Sequence, residues 1–216
     1  MIPDVYINNQ SLFSMGWLRE SADFPTPKSQ TNTITVPGRN TPVRFMEGLG
    51  LKSYQPREFS IVLSMLGDRN KYNSMYKKAI NSFSGKLCEV TLSEEAELYA
   101  VGTLELTPEY NPLTGKGTLT IECKDGDSYR YYKDITEVSL SGSGVFSLTN
   151  DYMPVVPEIE VTSETTLNWI IDDTSFEKTV SPGTWVIPEL QFFYGENNIG
   201  IATEGSVTFR YREGCL

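Results

Sequence analysis

The chain contains no histidine. That absence removes Ser-His-Asp and Cys-His nucleophile systems, histidine general bases and most transition-metal sites. Cysteine is scarce. Cys88, Cys123 and Cys215 are odd in number and widely spaced, and no Cys-x-x-Cys pair occurs. Such a set argues against a disulfide framework or a zinc site. Cys88 and Cys123 fall in strand-like runs, where a free thiol is a small buried apolar group. No apolar run approaches the roughly 20 residues needed to cross a bilayer. The opening Met1-Ile2-Pro3-Asp4-Val5-Tyr6-Ile7 lacks the basic-then-apolar order of a secretory signal. The expectation is a chain that folds in the cytoplasm, with no membrane partner and no cofactor.

Positive charge is short as well, and the shortage is local. The net charge is −10, of which residues 1–130 carry −1 and residues 131–216 carry −9. So sharp a step points to two domains, and 216 residues are enough for each to bury its own core. The acidic second half would repel phosphates, so nucleic acid is not expected as a partner. Lys77 and Lys78 form too short a basic pair to change that.

What is present reads mainly as short strands. Phe59, Ile61, Leu63 and Met65 alternate with Glu58, Ser60 and Ser64, interrupted by Val62, as in a strand with one wet face. Val5 and Ile7 alternate with polar neighbours. Leu98 to Thr107 and Thr118 to Lys124 read as two strands separated by the turn formers of 111–117. Late strands are expected at 158–161 and 207–212, the latter with Val207, Phe209 and Tyr211 inward.

One segment has helical spacing: Tyr72, Met75, Tyr76, Ala79, Ile80 and Phe83. Asp68 supplies an N-cap and Gly85 a stop, and Lys77 and Lys78 fall late enough to suit the dipole. A single amphipathic helix among strands is expected to cap one sheet face. The boundary between halves falls near 131–136, where Ser139-Leu140-Ser141-Gly142-Ser143-Gly144 reads as a linker or an opening loop. No internal repeat is visible.

Candidate chemistry is thin. Glu94, Glu95 and Glu97 are the densest carboxylate cluster, and would serve a carboxylate-based hydrolase. A solvated turn explains them better, since exposed acidic residues are ordinary. Asp125-Gly126-Asp127 resembles the start of a calcium loop, but the remaining ligands and the closing Glu are missing. Asp172 and Asp173 read as a turn. Trp169, Trp185, Phe192, Phe193 and Tyr194 would suit a sugar-binding face. A β-sandwich core is the stronger reading for most of them.

The order of the motifs resembles that of the distal tail proteins of long-tailed phages with flexible tails, the Dit family. It runs through Tyr6-Ile7-Asn8-Asn9, Gly16-Trp17-Leu18-Arg19-Glu20, Val36-Pro37-Gly38-Arg39 and Pro56-Arg57-Glu58-Phe59-Ser60-Ile61. The helix over 68–83, Leu104-Glu105-Leu106 and the 118–123 strand follow. Val156-Pro157-Glu158-Ile159-Glu160, the 188–200 stretch with Gly195-Glu196-Asn197, and Phe209-Arg210-Tyr211-Arg212 complete it. The resemblance covers essentially the whole chain.

The resemblance implies a mainly β protein. Residues 1–134 would form an N-terminal β-sandwich or split barrel with one α-helix and a projecting hairpin. Residues 135–216 would form a galectin-like β-sandwich. It implies a non-enzymatic adaptor at the virion's tail tip or baseplate: a hexameric ring of this chain joining the tail tube protein to the tail-associated hub or lysin. In some relatives the outer domain docks receptor-binding proteins or carries an inserted carbohydrate-binding module, and this chain has no room for such an insertion. The alternative is a carbohydrate-binding module acting in host-surface recognition. The polar, Gly/Pro-punctuated stretch from Thr31 to Tyr54 is the expected hairpin, adding to a neighbouring subunit. Val36, Pro37, Gly38, Arg39, Arg44, Tyr54 and Arg57 are the expected interface residues.

Overall fold

The computed structural model describes residues 2–30, 37, 53–171 and 173–216, together with the backbone pairing of 32–34 and 43–45. The chain forms two compact units, Met1–Ser128 and Tyr129–Leu216.

In the first unit the strands are β1 (Val5–Ile7), β2 (Gln10–Ser11), β3 (Leu18–Asp23), β4 (Asn32–Ile34), β5 (Val43–Phe45) and β6 (Arg57–Leu66). Helix α1 (Arg69–Phe83) follows, then β7 (Leu87–Leu92), β8 (Leu98–Thr103), β9 (Glu105–Asn111) and β10 (Lys116–Gly126). One sheet runs β2-β1-β7-β8, a second runs β3-β6-β10-β9, and β4 and β5 pair with each other. The run expected from Leu98 to Thr107 is two strands. Leu104, fully buried, breaks it, and its N–H donates to the Lys86 carbonyl instead of a sheet partner.

The alternation in β6 is the spine of this unit. Phe59, Ile61, Leu63 and Met65 are all buried, and Ile61 and Leu63 stand opposite Ile121 and Leu119 of β10. Burial of each such side chain stabilises by roughly 1.5–3 kcal/mol. Val5, Ile7, Val90 and Ala100 of the other sheet complete the same core.

Helix α1 begins where Asp68 accepts a hydrogen bond from the Lys71 N–H at 2.8 Å. Tyr72, Ala79 and Phe83 are its buried face. Tyr72 lies over β10 because position 117 is glycine. A Cβ there would stand 2.2 Å from the Tyr72 ring. The Tyr72 hydroxyl donates to the Thr118 carbonyl at 3.2 Å. Lys77 and Lys78 lie too early to serve the C-terminus, and the last turn has no basic residue. Lys86, beyond the end, takes that role by donating to the carbonyls of Asn81 and Ser82 at 2.8 and 2.9 Å.

The two sheets meet at one corner. A Cβ on Gly102 would stand 2.3 Å from Cys123 Sγ and 2.8 Å from Gly126 Cα, so β8 and β10 touch almost backbone to backbone. The β10 register shifts between Cys123 and Gly126. There Asp125 accepts from the Thr103 N–H at 2.9 Å, and the Asp127 N–H donates to the Val101 carbonyl at 2.8 Å. That closure makes the unit a sandwich split along one side.

The second unit comprises β11 (Arg130–Tyr132), β12 (Thr136–Ser141), β13 (Gly144–Asn150), β14 (Glu158–Val161) and β15 (Thr165–Ile171). It continues with β16 (Thr174–Val180), β17 (Gly183–Val186), β18 (Gly195–Thr203), β19 (Ser206–Tyr211) and β20 (Gly214–Cys215). Sheets β12-β19-β14-β17 and β13-β18-β15-β16 enclose one core. Val207, Phe209 and Tyr211 face Leu167, Ile199 and Phe192 within it. The small-residue stretch 139–144 is not a linker. Its first half is strand, and the turn at Gly142 (φ 76°) and Ser143 passes the chain from one sheet to the other. The C-terminus closes the unit, with β20 pairing with β11. Glu213 accepts from the Thr136 hydroxyl at 2.7 Å and from the Asp151 N–H at 2.9 Å. The Tyr132 hydroxyl donates to Asp151 at 3.0 Å, and that hydrogen bond pushes its pKa up to about 12.

Candidate assembly surface

The segment between β3 and β6 pairs as a two-stranded ribbon among its described residues, and its root is firmly held. Phe24 stacks on Phe59 with ring centroids 4.5 Å apart. Arg57 is only 2% exposed, and its guanidinium donates to the carbonyls of Pro25 at 2.9 Å and Ser128 at 3.1 Å. The Ser128 hydroxyl reaches the carbonyls of Tyr54 at 3.3 Å and Gln55 at 2.9 Å. Both strands of the ribbon are thereby tied to the end of β10. A buried cation is costly unless hydrogen-bonded, so these carbonyls and the guanidinium depend on each other.

The ribbon continues outward in register. Gln55 N–H donates to the Lys28 carbonyl at 2.9 Å and Gln30 N–H to the Ser53 carbonyl at 2.8 Å, with Ser29 bridging Tyr54. Further out Asn32 pairs with Phe45, Thr33 with Arg44 and Ile34 with Val43. Among the described residues β4 and β5 pair with no other strand.

The expected interface residues are distributed along this arm. Arg57 is a buried anchor at the root, where the sequence places it on a surface, because two carbonyls of the chain itself converge on it. Tyr54 is half-buried at the bridge with Ser29, Arg44 lies in β5, and Pro37 is exposed in a turn. Val36, Gly38 and Arg39 lie outside the described residues. Sequence reading misses Phe24, Pro25 and Ser128. The Pro25-Thr26-Pro27 triplet is the signal available for them, since it marks the chain's departure from β3.

The other candidates are structural. Glu94 is ion-paired with Arg19 at 2.5 Å, and that hydrogen bond holds its carboxyl below the usual range. Glu95 is half-buried and Glu97 exposed in the same turn. Asp125 sits in β10, its pKa lowered by the Thr103 hydrogen bonds. Among the described residues no group of three or more Cys, Asp or Glu is placed to hold a metal. Asp173 has φ 63°, as a tight turn requires, and Asp172 lies outside the described residues. Cys88 and Cys123 are buried thiols, the latter pushed up to about 11 by desolvation.

The aromatic set of the second unit divides. Trp169 and Phe192 are core, Phe193 is half-buried, and Trp185 and Tyr194 are exposed. Trp185 stands opposite Ile159 on the core-facing side of edge strand β17, with its indole N–H bonded to the Ser181 carbonyl at 2.8 Å. The polar cluster of that sheet occupies the opposite face. There Arg210 is bound by Glu137 and Glu160, each at 2.7 Å, and these carboxylates hold its proton more firmly than usual. Register therefore separates this indole from those polar groups, where a sugar platform needs them together.

No protein-family model matches the chain, and no curated protein does. A solved structure does: the crystal structure of SPP1 Dit (gp 19.1), described as a paradigm of the hub adsorption apparatus in phages infecting Gram-positive hosts. Sequence identity is 14%, the match covers 100% of each chain, and the TM-score is 0.70. From the first strand to the last, this chain has the fold of the SPP1 Dit protein.

Proposed function

We propose that the chain is a non-enzymatic structural adaptor of a phage tail tip. Copies associate head to tail through the first unit into a closed hexameric ring, which joins the tail tube to the tail-associated hub. The second unit, a galectin-like sandwich, sits at the periphery and docks host-adsorption proteins. The chain folds in the host cytoplasm before entering the virion.

The observation that carries this reading is the full-length fold match to a hub adsorption protein. The arm adds a physical reason. An isolated two-stranded ribbon is marginal in water, so β4 and β5 gain most by packing on another surface. A cyclic assembly needs two unlike surfaces on each copy, and an arm with a pinned root supplies one. Replacing residues 31–53 by a short Gly/Ser turn is expected to leave circular dichroism unchanged and abolish rings in negative-stain images. Rings formed by that variant would contradict the role of the arm.

A further inference from the structure

Two outer strands of the second unit, β16 and β17, belong to different sheets and are joined only by Ser181 and Pro182. An outer strand presents a row of unpaired backbone N–H and C=O groups, a template for a strand of another chain. β17 is a poor template. It spans only Gly183–Val186, and Pro182 and Pro188, which have no N–H to donate, flank it.

β16 lacks both devices. It runs for seven residues, Thr174–Val180, without proline or glycine. It pairs with β15 in unbroken register along its whole length, and with no other strand among the described residues. Phe176, Lys178 and Val180 stand opposite Trp169, Leu167 and Thr165, which are all buried, so these three share the core-facing side. Phe176 stacks on Trp169 at 5.5 Å, and Val180 is buried. Lys178, between them, is exposed, and no carboxylate is ion-paired with it among the described residues. This lysine interrupts an apolar row without filling core or neutralising a charge. Its ammonium keeps its water only while the space beside β16 stays empty.

We infer that Lys178 holds the free edge of β16 shut against the same edge of a second copy of this chain. Pairing of two such edges would join two four-stranded sheets into one and strip water from an unpaired ammonium on the core-facing side of each. Glu177 cannot serve in its place. It stands opposite Asn168 on the solvent side, where a charge stays wet when a strand is added. The inference is independent of the ring reading.

The test uses full-length protein and size-exclusion light scattering over a concentration series. Removing one positive charge by Lys178→Val takes the net charge from −10 to −11, and removing one negative charge by Glu177→Val takes it to −9. General repulsion therefore favours association of Glu177→Val, whereas an unguarded edge favours association of Lys178→Val. Lys178→Val is expected to form species larger than the wild type's at concentrations at least about tenfold below those the wild type needs. Glu177→Val and Lys178→Glu are expected to elute as the wild type does. Unchanged near-ultraviolet circular dichroism confirms folding, and Lys178→Thr replaces Lys178→Val if the latter does not fold. Wild-type elution of the neutral variant at every concentration, or equal association of Glu177→Val, would overturn the inference. Each variant is read against the wild type, whether ring or monomer, so the ring reading can fail without touching this one.

Discussion

The two units solve closure differently. The second ties down its C-terminal end: β20 returns to pair with β11, and Glu213 ties that clasp to Thr136 and Asp151. Its core is aromatic, with Phe192 packed against Phe209 and Tyr211 at centroid distances of 5.9 and 5.1 Å. The first unit instead fixes the base of a ribbon. Arg57 and Ser128 hold the root of a ribbon whose outer strands pair only with each other among the described residues. A unit that fixes the base of a ribbon is suited to the interface of the assembly proposed above.

The largest expected effect tests the independence of the second unit. Phe209→Ala empties a fully buried site and should cost about 3–5 kcal/mol. Denaturant unfolding followed at Trp169 should move to lower midpoint while the transition seen at Trp17 stays in place. A common shift of both would mean that the two units unfold as one cooperative block. Next comes the anchor of the first unit. Arg57→Met keeps much of the volume but leaves the Pro25 and Ser128 carbonyls without this donor, a loss of about 2–4 kcal/mol. Amide exchange should accelerate first at Gln30 and Gln55, which bond across the ribbon. Protection unchanged there would contradict the anchoring role.

Asp68→Ala removes the cap of α1 and should cost about 1 kcal/mol, read again at Trp17, whose ring meets Tyr72 edge-on at 6.2 Å. The smallest effect concerns acid. Arg19 lowers the Glu94 pKa below its ordinary 4.5, so the folded state binds this proton less readily than the unfolded chain. The pair's contribution is therefore complete above pH 4.5 and is lost as pH falls through the lowered folded value. Glu94 is half exposed, so solvent and salt shrink the effect. The stability difference between wild type and Arg19→Met should be flat at neutral pH and narrow in acid. A difference that widens in acid would have the wrong sign.

Much of this contrast is legible in the residues. Alternation at Phe59, Ile61, Leu63 and Met65 and at Val207, Phe209 and Tyr211 fixes the faces of the central strands, since period two leaves a strand no freedom once one face is buried. Asp68 marks the helix start because its side chain satisfies a local N–H. What could not be read is non-local. Nothing near Arg57 in sequence says that carbonyls at Pro25 and Ser128 will converge on it. The break at Leu104 depends on Lys86, in the turn between α1 and β7. Gly102 and Gly126 are silent as letters, and become a corner only when β8 crosses β10. Trp185 reads as core or as platform until its pairing with Ile159 settles which face it occupies.

On the reading proposed above, this chain closes head to tail on itself. Multi-angle light scattering on the purified full-length protein, with negative-stain class averages of the same fractions, tests it most directly. A discrete hexamer is expected, with averages that show a ring with a central hole. A monomer at every concentration, a two-fold dimer or an open filament would contradict it.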